Sequence, residues 1–291
     1  MKNVKNIPVL SCLLISLFSM WLWTDTRNAL AQSSAVITPQ ETITLFNGKD
    51  LSGFYTWLEG GLGYEDPNRV FSVVDNIGGT PAIRVSGEDW GGFVTEEAYS
   101  DYHLIVEFRW GNITYGDRMY KAIDSGILLH AEGQDGNTER AFDGPWMHSI
   151  EYQLIEGGTG DVILVGGYNG SGEFITPAMK AAVNKDYNGQ FFWSEGGEVR
   201  EFESGRINWY GRDPDWKDVL GFRGIQDVEK PVGEWNRAEI IADGSTFVYI
   251  LNGVVVNRGF DAGLSKGKIM FQSEGAEIFF RRVELKPLKQ N

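Results

Sequence analysis

Two carboxylates and an amide lie close together near the middle of the chain, within residues 149–156. Side chains alternate along a β-strand, so Glu151 and Gln153 are expected to share a polar face, opposite the apolar residues beside them. Glu156 joins that face if a bulge follows Gln153. Carboxyl groups can transfer protons and amides can bind a ligand, so this face is a candidate site for chemistry.

The spacing of the two carboxylates argues against ordinary double displacement. A retaining glycosidase needs carboxyl groups about 5–5.5 Å apart. Five strand steps of about 3.3 Å separate the backbones of Glu151 and Glu156 by roughly 16 Å, or less if the strand is bulged. A single carboxylate that acts as a base fits this spacing better.

A histidine and a carboxylate form a second candidate group. His130 is expected on the same strand face as Gly126 and Leu128, and it precedes Glu132 by two residues, so both could point at one ligand or one metal ion. One histidine with carboxylates suits Ca²⁺ or Mn²⁺ weakly, and the chain has three histidines without a His-x-x-x-His spacing. A divalent cation is therefore the only cofactor suggested, and its ligands stay unassigned.

Four further residues are candidates for substrate binding, each with a structural alternative. Glu107 and Arg109 share the polar face of a predicted strand, and they either contact substrate or pair with charges across strands. Trp146 either stacks on a ligand ring or fills the core. His148 either contacts substrate or satisfies a loop carbonyl. Gln272, at the end of another predicted strand, is a fifth candidate.

The elements that must position these residues are β-strands. From residue 42 onward, apolar residues alternate over short runs between clusters of Gly, Asn and Asp. Asn252 and Gly253 suit a two-residue hairpin turn, because both positions need a positive φ. This pattern predicts an all-β jelly-roll sandwich of two antiparallel sheets. The predicted strands cover residues 102–110, 125–132, 149–155, 238–241, 247–251, 254–258, 268–273 and 277–285.

One domain over residues 42–288 is the economical interpretation, because no linker or repeat divides the chain. Residues 157–231 are interpreted as a long insertion, helical only at 177–184, and segments of that length often form lids or binding walls. Asp161 is expected to cap a turn in it, or else to close the site. Its aromatic residues are Phe191, Phe192, Trp193, Trp209, Tyr210 and Trp216.

The N-terminus is typical of an export signal. Two lysines precede an apolar run, and Ala29 and Ala31 supply the small residues of a cleavage site, so residues 1–31 are predicted to be removed, leaving a short segment at 32–41. A retained membrane anchor is the alternative. The predicted location is the periplasm or the extracellular space, without a stable anchor. The only cysteine, Cys12, lies in the leader, so the mature chain has no thiolate ligand or disulfide.

Charge limits the class of partner. The leader has a net charge of +2, so the total of −14 leaves −16 on the mature chain. Such a surface argues against nucleic acid and against anionic membranes as partners. Neutral carbohydrate is indifferent to net charge and binds aromatic side chains, which the chain has in abundance.

Four stretches of the chain form a characteristic set: residues 45–53 (LFNGKDLSG), 124–130 (DSGILLH) with 149–157 (SIEYQLIEG), 233–236 (GEWN) and 280–283 (FRRV). They resemble the secreted family of 3-keto-glycoside lyases, hydratases and hydrolases (the 3-keto-disaccharide hydrolase domain), which adopts a concanavalin A-like lectin/glucanase sandwich. The chain departs from many members at Glu274, because their Gln-Asp-His-Gly is replaced by Gln-Ser-Glu-Gly.

The resemblance implies an enzyme that cleaves 3-keto-glycosides. A ketone at C3 acidifies the C2 proton, so a base can remove it while the C1 substituent leaves, and water can add afterwards. With this chemistry, the resemblance implies Glu151 as the base, His130 or Glu156 as the proton donor, and Arg109 or a cation at the carbonyl oxygen. The segment Glu151-x-Gln153-x-x-Glu156 also resembles the Glu-x-Asp-x-x-Glu strand of laminarinase-type glucanases, but it has the amide Gln153 in place of the middle acid. The alternative is a non-catalytic carbohydrate-binding module, because the same fold serves lectins.

Overall fold

Strands dominate residues 35–289, the part of the chain that the computed structural model describes. A short 3-10 helix spans Gly116–Arg118. The predicted leader, residues 1–31, lies outside the described residues. In chain order the strands are β1 (Ile43–Thr44), β2 (Phe54–Leu58), β3 (Phe71–Val74), β4 (Ala82–Val85), β5 (Gly91–Thr95), β6 (Tyr102–Thr114), β7 (Asp124–Glu132), β8 (His148–Ile155), β9 (Val162–Val165), β10 (Gly167–Tyr168), β11 (Phe174–Ile175), β12 (Met179–Lys185), β13 (Phe191–Trp193), β14 (Glu198–Phe202), β15 (Gly205–Ile207), β16 (Asn236–Asp243), β17 (Thr246–Leu251), β18 (Val254–Gly259), β19 (Lys268–Ser273) and β20 (Ala276–Pro287).

Two large antiparallel sheets form the body of the fold. The eight-stranded sheet has the order β18-β17-β16-β6-β20-β4-β3, with β1 added beside β20. The seven-stranded sheet has the order β15-β9-β8-β7-β19-β5-β2. Eight of the thirteen neighbouring pairs join strands that are not consecutive in the chain, as in a jelly roll. The predicted all-β sandwich is confirmed.

Apolar side chains from both sheets meet in one core. Phe93 and Phe271 of the seven-stranded sheet stack at 4.6 Å between ring centroids, and Phe280 of the other sheet packs edge-on against both. Tyr152 meets Tyr249 across the core at 4.7 Å. Every second residue of β8 enters this core, so the residues between them must occupy the opposite face of the sheet.

The predicted hairpin turn is confirmed. Asn252 and Gly253 connect β17 to β18 with φ values of 50° and 86°. Both values lie in the left-handed region, where asparagine and glycine are tolerated best.

Two expectations for residues 157–231 are wrong. Strands β9 and β15 belong to the seven-stranded sheet, so the segment contributes to the body of the fold as well as to its loops. The predicted helix at 177–184 is strand β12 instead. Its apolar residues Met179, Ala181 and Val183 are buried at every second position, and this period overrides the helical propensity of alanine and methionine. Within residues 35–289, no helix is long and apolar enough to span a membrane.

Candidate functional site

Strand β8 places Glu151 and Gln153 on the outer face of the seven-stranded sheet, turned away from the core. Both side chains are nevertheless buried, because neighbouring side chains and loops cover this face; Glu151 is only 4% exposed. Glu151 therefore does not lie on an open sheet surface. The predicted face of Glu151 and Gln153 is confirmed.

Glu151 meets Gln272 above a glycine. β7 lies between β8 and β19, so the two side chains reach towards each other across it. A Cβ added at Gly126 of β7 would lie 2.2 Å from Glu151 Oε1 and 2.3 Å from Gln272 Oε1. Only a residue without a side chain leaves room for this meeting. Neither oxygen has a hydrogen-bond partner within the described residues.

Gln153 connects this pair to a network of charges. Its Nε2 donates to Asp124 Oδ1 at 2.7 Å and to the carbonyl of Ser125 at 3.0 Å. Its Oε1 accepts from Arg206 at 3.2 Å. Both ends of the amide are thus fixed, which gives Gln153 a positioning role.

Three arginines form ion pairs on the two sides of Gln153. Arg118, from the 3-10 helix, reaches Asp124 at 2.9 Å and Asp218 at 3.2 Å. Asp161 accepts from Arg206 at 2.7 Å and also from Arg212. These contacts join β7, β8, β15 and two loops into one polar assembly, which we name the carboxylate network: Glu151, Gln153, Asp124, Asp161, Glu274, Arg118, Arg206 and Arg212.

The network favours protonated carboxyl groups. Burial, and then the charge of Asp124, raise the pKa of Glu151 to about 8. Burial raises the pKa of Asp124 to about 7, although Arg118 and Arg206 oppose the shift. Burial and the same two carboxylates also raise the pKa of the half-buried Glu274 well above its usual value. Such groups can donate or accept a proton near neutral pH.

Glu156 does not join Glu151. It lies beyond the end of β8, and its Oε2 accepts backbone N–H groups of Ile123 at 3.1 Å and Gly221 at 3.0 Å. A carboxylate that satisfies two backbone donors is held as an acceptor. Glu156, one of the two predicted proton donors, therefore connects two loops through their backbone N–H groups.

His130 does not face the site, so that expectation is wrong. A register shift between Leu129 and Glu132, with φ of 53° at His130, turns the ring into the core. There it lies between Tyr102 and Phe247, with ring centroids 5.5 and 5.0 Å away. Burial lowers the pKa of His130 to about 4.

The placement of His130 also removes the predicted cation site that it shared with Glu132. Among residues 35–289, no group of three or more His, Cys, Asp or Glu side chains is placed to hold a metal ion.

Glu107 and Arg109 lie on the other sheet, so their predicted contact with substrate beside Glu151 is wrong. Both belong to β6, on the outer face of the eight-stranded sheet. Glu107 pairs with Arg281 at 2.7 Å and with Arg282 at 3.4 Å. The core of the sandwich separates both residues from the carboxylate network. For Glu107 the structure shows the structural alternative to substrate contact, the pairing with charges across strands.

His148 has a structural partner. Its Nδ1 lies 3.0 Å from the carbonyl of Val165 on β9, and its backbone N–H donates to Asn137. Burial lowers its pKa. The side chain holds β8 and β9 together. His148 therefore binds a backbone carbonyl, which was the structural alternative to substrate contact.

Trp146 lines a cavity of about 560 Å³. It stacks on Trp90 with centroids 5.6 Å apart, and Gly116 and Asp117 of the 3-10 helix also line the cavity. This volume is in the range of small-molecule sites, and indole rings bind the apolar faces of sugars. Glu151 does not line the cavity; the cavity reaches the network at Asp117, beside Arg118.

Several residues of the network were missed by sequence reasoning. Arg206 and Arg212 lie more than fifty residues after Glu151, on an edge strand and a loop whose pairing has no local signal. Asp124 is the first residue of β7 and Arg118 lies in the 3-10 helix before it, so both reach the site only through the register of β7. Glu274 is the exception, because it stands where the family motif departs, and that departure could have pointed to it.

Comparison with known proteins gives one family and several distant folds. The family model described as "3-keto-alpha-glucoside-1,2-lyase-like domain" matches residues 41–286. No curated protein matches the chain significantly. A candidate glycosyl hydrolase from Parabacteroides distasonis is similar, with 19% identity, a TM-score of 0.46 and coverage of 86% of this chain and 94% of its own. A β-glucanase from Bacillus licheniformis has 10% identity and a TM-score of 0.41, covering 86% and 99%. The carbohydrate binding module CBM66 from Bacillus subtilis has 13% identity and a TM-score of 0.37, covering 80% and 94%.

Proposed function

Because the chain belongs to the 3-keto-alpha-glucoside-1,2-lyase-like domain family, we propose that it cleaves 3-keto-glycosides by elimination, with Glu151 as the base. Family membership supports a carbohydrate-active role. The observation that carries the finer proposal is the buried Oε1 of Glu151, which has no partner among the described residues and belongs to a carboxyl group whose pKa is raised to about 8.

The proposed reaction moves one proton and one leaving group. Glu151 takes the C2 proton, which the C3 ketone acidifies, and the C2–H electrons form a C1–C2 double bond. The C1–O bond breaks, and the aglycone oxygen takes a proton. Addition of water to the resulting 3-keto-2-hydroxy-glucal completes net hydrolysis. A raised pKa makes Glu151 a stronger base than an exposed glutamate.

Two other network residues replace the rejected candidates. Glu274 is half-buried and has a raised pKa, so it suits donation of a proton to the leaving oxygen. Arg206 is 35% exposed at its side chain and lies near Glu151, so it suits the C3 oxygen, where negative charge develops. These roles are part of the proposal and take the places expected of Glu156 and Arg109.

The test is turnover of a defined 3-keto-glycoside, such as methyl 3-keto-glucoside, followed by mass spectrometry. We expect release of the aglycone, and we expect E151Q to lose turnover by at least about a hundredfold, the usual contribution of a general base. The parent glucoside without the ketone is the matched control and should not react. Full activity of E151Q would remove Glu151 from the role of base.

A carbohydrate-binding module without catalysis is the second candidate. It is favoured by the cavity of Trp90 and Trp146, which presents two indole rings and is not lined by Glu151. This function requires saturable sugar binding without product. Binding would then be lost in W146A and kept in E151Q.

A further inference from the structure

The meeting of Glu151 and Gln272 leaves two acceptors face to face. Both side chains are more than nine-tenths buried, at 4% and 1% exposure. Glu151 Oε1 and Gln272 Oε1 both lie within 2.3 Å of the position that a Cβ would take at Gly126, and neither has a partner among the described residues. Buried acceptors are almost always paired, and one hydrogen shared between the two oxygens would give both of them a partner.

The geometry of the sheet fixes this approach. Gly126 and Leu128 of β7 pair with Gln153 and Glu151 of β8. On the other edge of β7, Leu128 pairs with Met270 of β19, so Gln272 follows two residues later on the same face. Strands on both sides thus deliver the two side chains to one point above Gly126.

The charges that face Glu151 favour a proton on it. Asp124 comes from β7, Asp161 from the turn after β8, and Glu274 from the turn after β19. Arg206 of β15 opposes them. Tyr249, from the other sheet, carries no charge near neutral pH, because burial raises its pKa. Burial is the first cause of the raised pKa of Glu151, and Asp124 and Asp161 add to it against Arg206, so a negative charge on Glu151 is disfavoured.

We propose that Gln272 is a positioning residue for Glu151: its side-chain oxygen accepts the carboxyl proton of Glu151, so that the pair shares one proton in the free protein. The inference rests on the proposed function only for the naming of Glu151 as base. Gln272 acts through Glu151 and needs no contact with substrate.

The pair has a consequence for catalysis. Glu151 must release its own proton to solvent before it can act. The remaining carboxylate then faces an amide oxygen, which is an unfavourable contact. When Glu151 takes the C2 proton, the hydrogen bond to Gln272 forms again, while the C2–H electrons form the C1–C2 bond and the leaving oxygen departs with the C1–O pair. Gln272 therefore stabilises the product side of proton transfer more than the ground state.

The experiment is an NMR titration of the carboxyl carbon of Glu151 in the full chain labelled with ¹³C-glutamate. E151Q identifies the resonance by its absence. In Gln272→Met, which keeps length and loses the acceptor, we expect the titration midpoint to move down by about one pH unit. Gln226→Met, at an exposed position, is the matched control and should leave the midpoint unchanged.

The direction of the shift decides the inference. A midpoint that moves up in Gln272→Met shows that the amide donates to the carboxylate, and a midpoint that stays shows that the residues do not interact; both overturn the proposal. If Gln272→Met loses its near-ultraviolet circular dichroism, Gln272→Glu replaces it. In that variant, Glu151 and the introduced glutamate share one proton, which should raise the titration midpoint of Glu151. An unchanged midpoint overturns the proposal.

This titration needs no turnover. Absence of activity on 3-keto-glycosides would reject the proposed function and leave the shared proton standing, whereas an active enzyme with an unshifted midpoint would reject the shared proton alone. In an active enzyme, the acidic limb of the pH–kcat/KM profile should shift in the same direction as the midpoint.

Discussion

Asp161 binds Arg206 at 2.7 Å, and this contact anchors the edge strand β15 beside the buried base. The carboxylate of Asp161 is fully buried and also accepts the backbone N–H of Trp209 at 2.8 Å. The backbone N–H of Asp161 bonds the carbonyl of Gly158, but the side chain expected to cap a turn accepts from Trp209 and from two arginines instead. Its side chain has the larger role, since it holds two arginines over the sheet.

Asp161→Asn should destabilise the fold. The substitution leaves Arg206 and the more buried Arg212 without their shared anion, and breaking a buried pair costs about 3–5 kcal/mol. Because Arg206 is partly exposed, we expect about 3 kcal/mol, measured by urea unfolding. Asp261→Asn, which breaks the exposed pair with Lys180, is the control and should change stability by less than about 1 kcal/mol. Equal losses in both variants would contradict this account.

E151Q should make the protein more stable at high pH. The native state holds the proton of Glu151 up to about pH 8, whereas the unfolded chain releases it near 4.5. The native state then binds more protons, so its stability falls as the pH rises through this window. E151Q does not lose stability in this way. The difference in unfolding free energy between E151Q and the wild type should therefore grow from pH 5 to pH 8, by up to about 1.4 kcal/mol per pH unit. Thermal melts at several pH values test this, and an advantage that shrinks with rising pH contradicts it.

Catalysis should require alkaline pH. Glu151 acts as a base only after losing its proton, and its pKa is raised to about 8. We therefore expect kcat/KM to rise about tenfold per pH unit below about pH 8 and to level off above it. A profile that is flat between pH 5 and pH 8 would show that the essential base has an ordinary carboxyl pKa.

Gly126→Ala should disable the site while most of the fold remains. The added methyl group would lie 2.2 Å from Glu151 Oε1, so the pair with Gln272 must separate. Overpacking of this kind costs about 1–3 kcal/mol, and activity should fall by at least about tenfold. Gly170→Ala meets nothing within 4 Å and should be neutral in both assays. Wild-type activity in Gly126→Ala would mean that the pair has no part in catalysis.

Trp146→Ala should weaken substrate binding. Loss of an aromatic platform of this kind costs about 0.5–1.5 kcal/mol, so KM should rise roughly two- to tenfold with a smaller change in kcat. Trp235→Ala, just before β16 and packed against Arg281 of the other sheet, is the matched control and should leave KM unchanged. A change in kcat alone would place Trp146 outside the binding surface.

Local patterns in the sequence were sufficient for the sandwich and for one face of the site. Alternation along β8 places Glu151 and Gln153 together, and the Asn252-Gly253 turn follows from backbone preferences alone. The family motifs support the assignment of the family. These features depend on neighbours within a few residues.

The remaining features depend on long-range pairing. His130 follows the strand pattern until a register shift turns it into the core, and alternation alone does not reveal such a shift. Glu107 and Arg109 have the right polarity but lie on the wrong sheet, and only the strand order shows this. Arg206 reaches Gln153 through an edge strand of three residues, which is too short for a periodic signal.

The central claim is that Glu151 removes the C2 proton, and a C2-deuterated 3-keto-glycoside tests it most directly. If abstraction by Glu151 is the slow step, kcat for aglycone release falls severalfold with the deuterated substrate, and E151Q loses turnover. Release of the aglycone at the same rate from the protiated and the deuterated substrate, or at the wild-type rate by E151Q, would contradict the account.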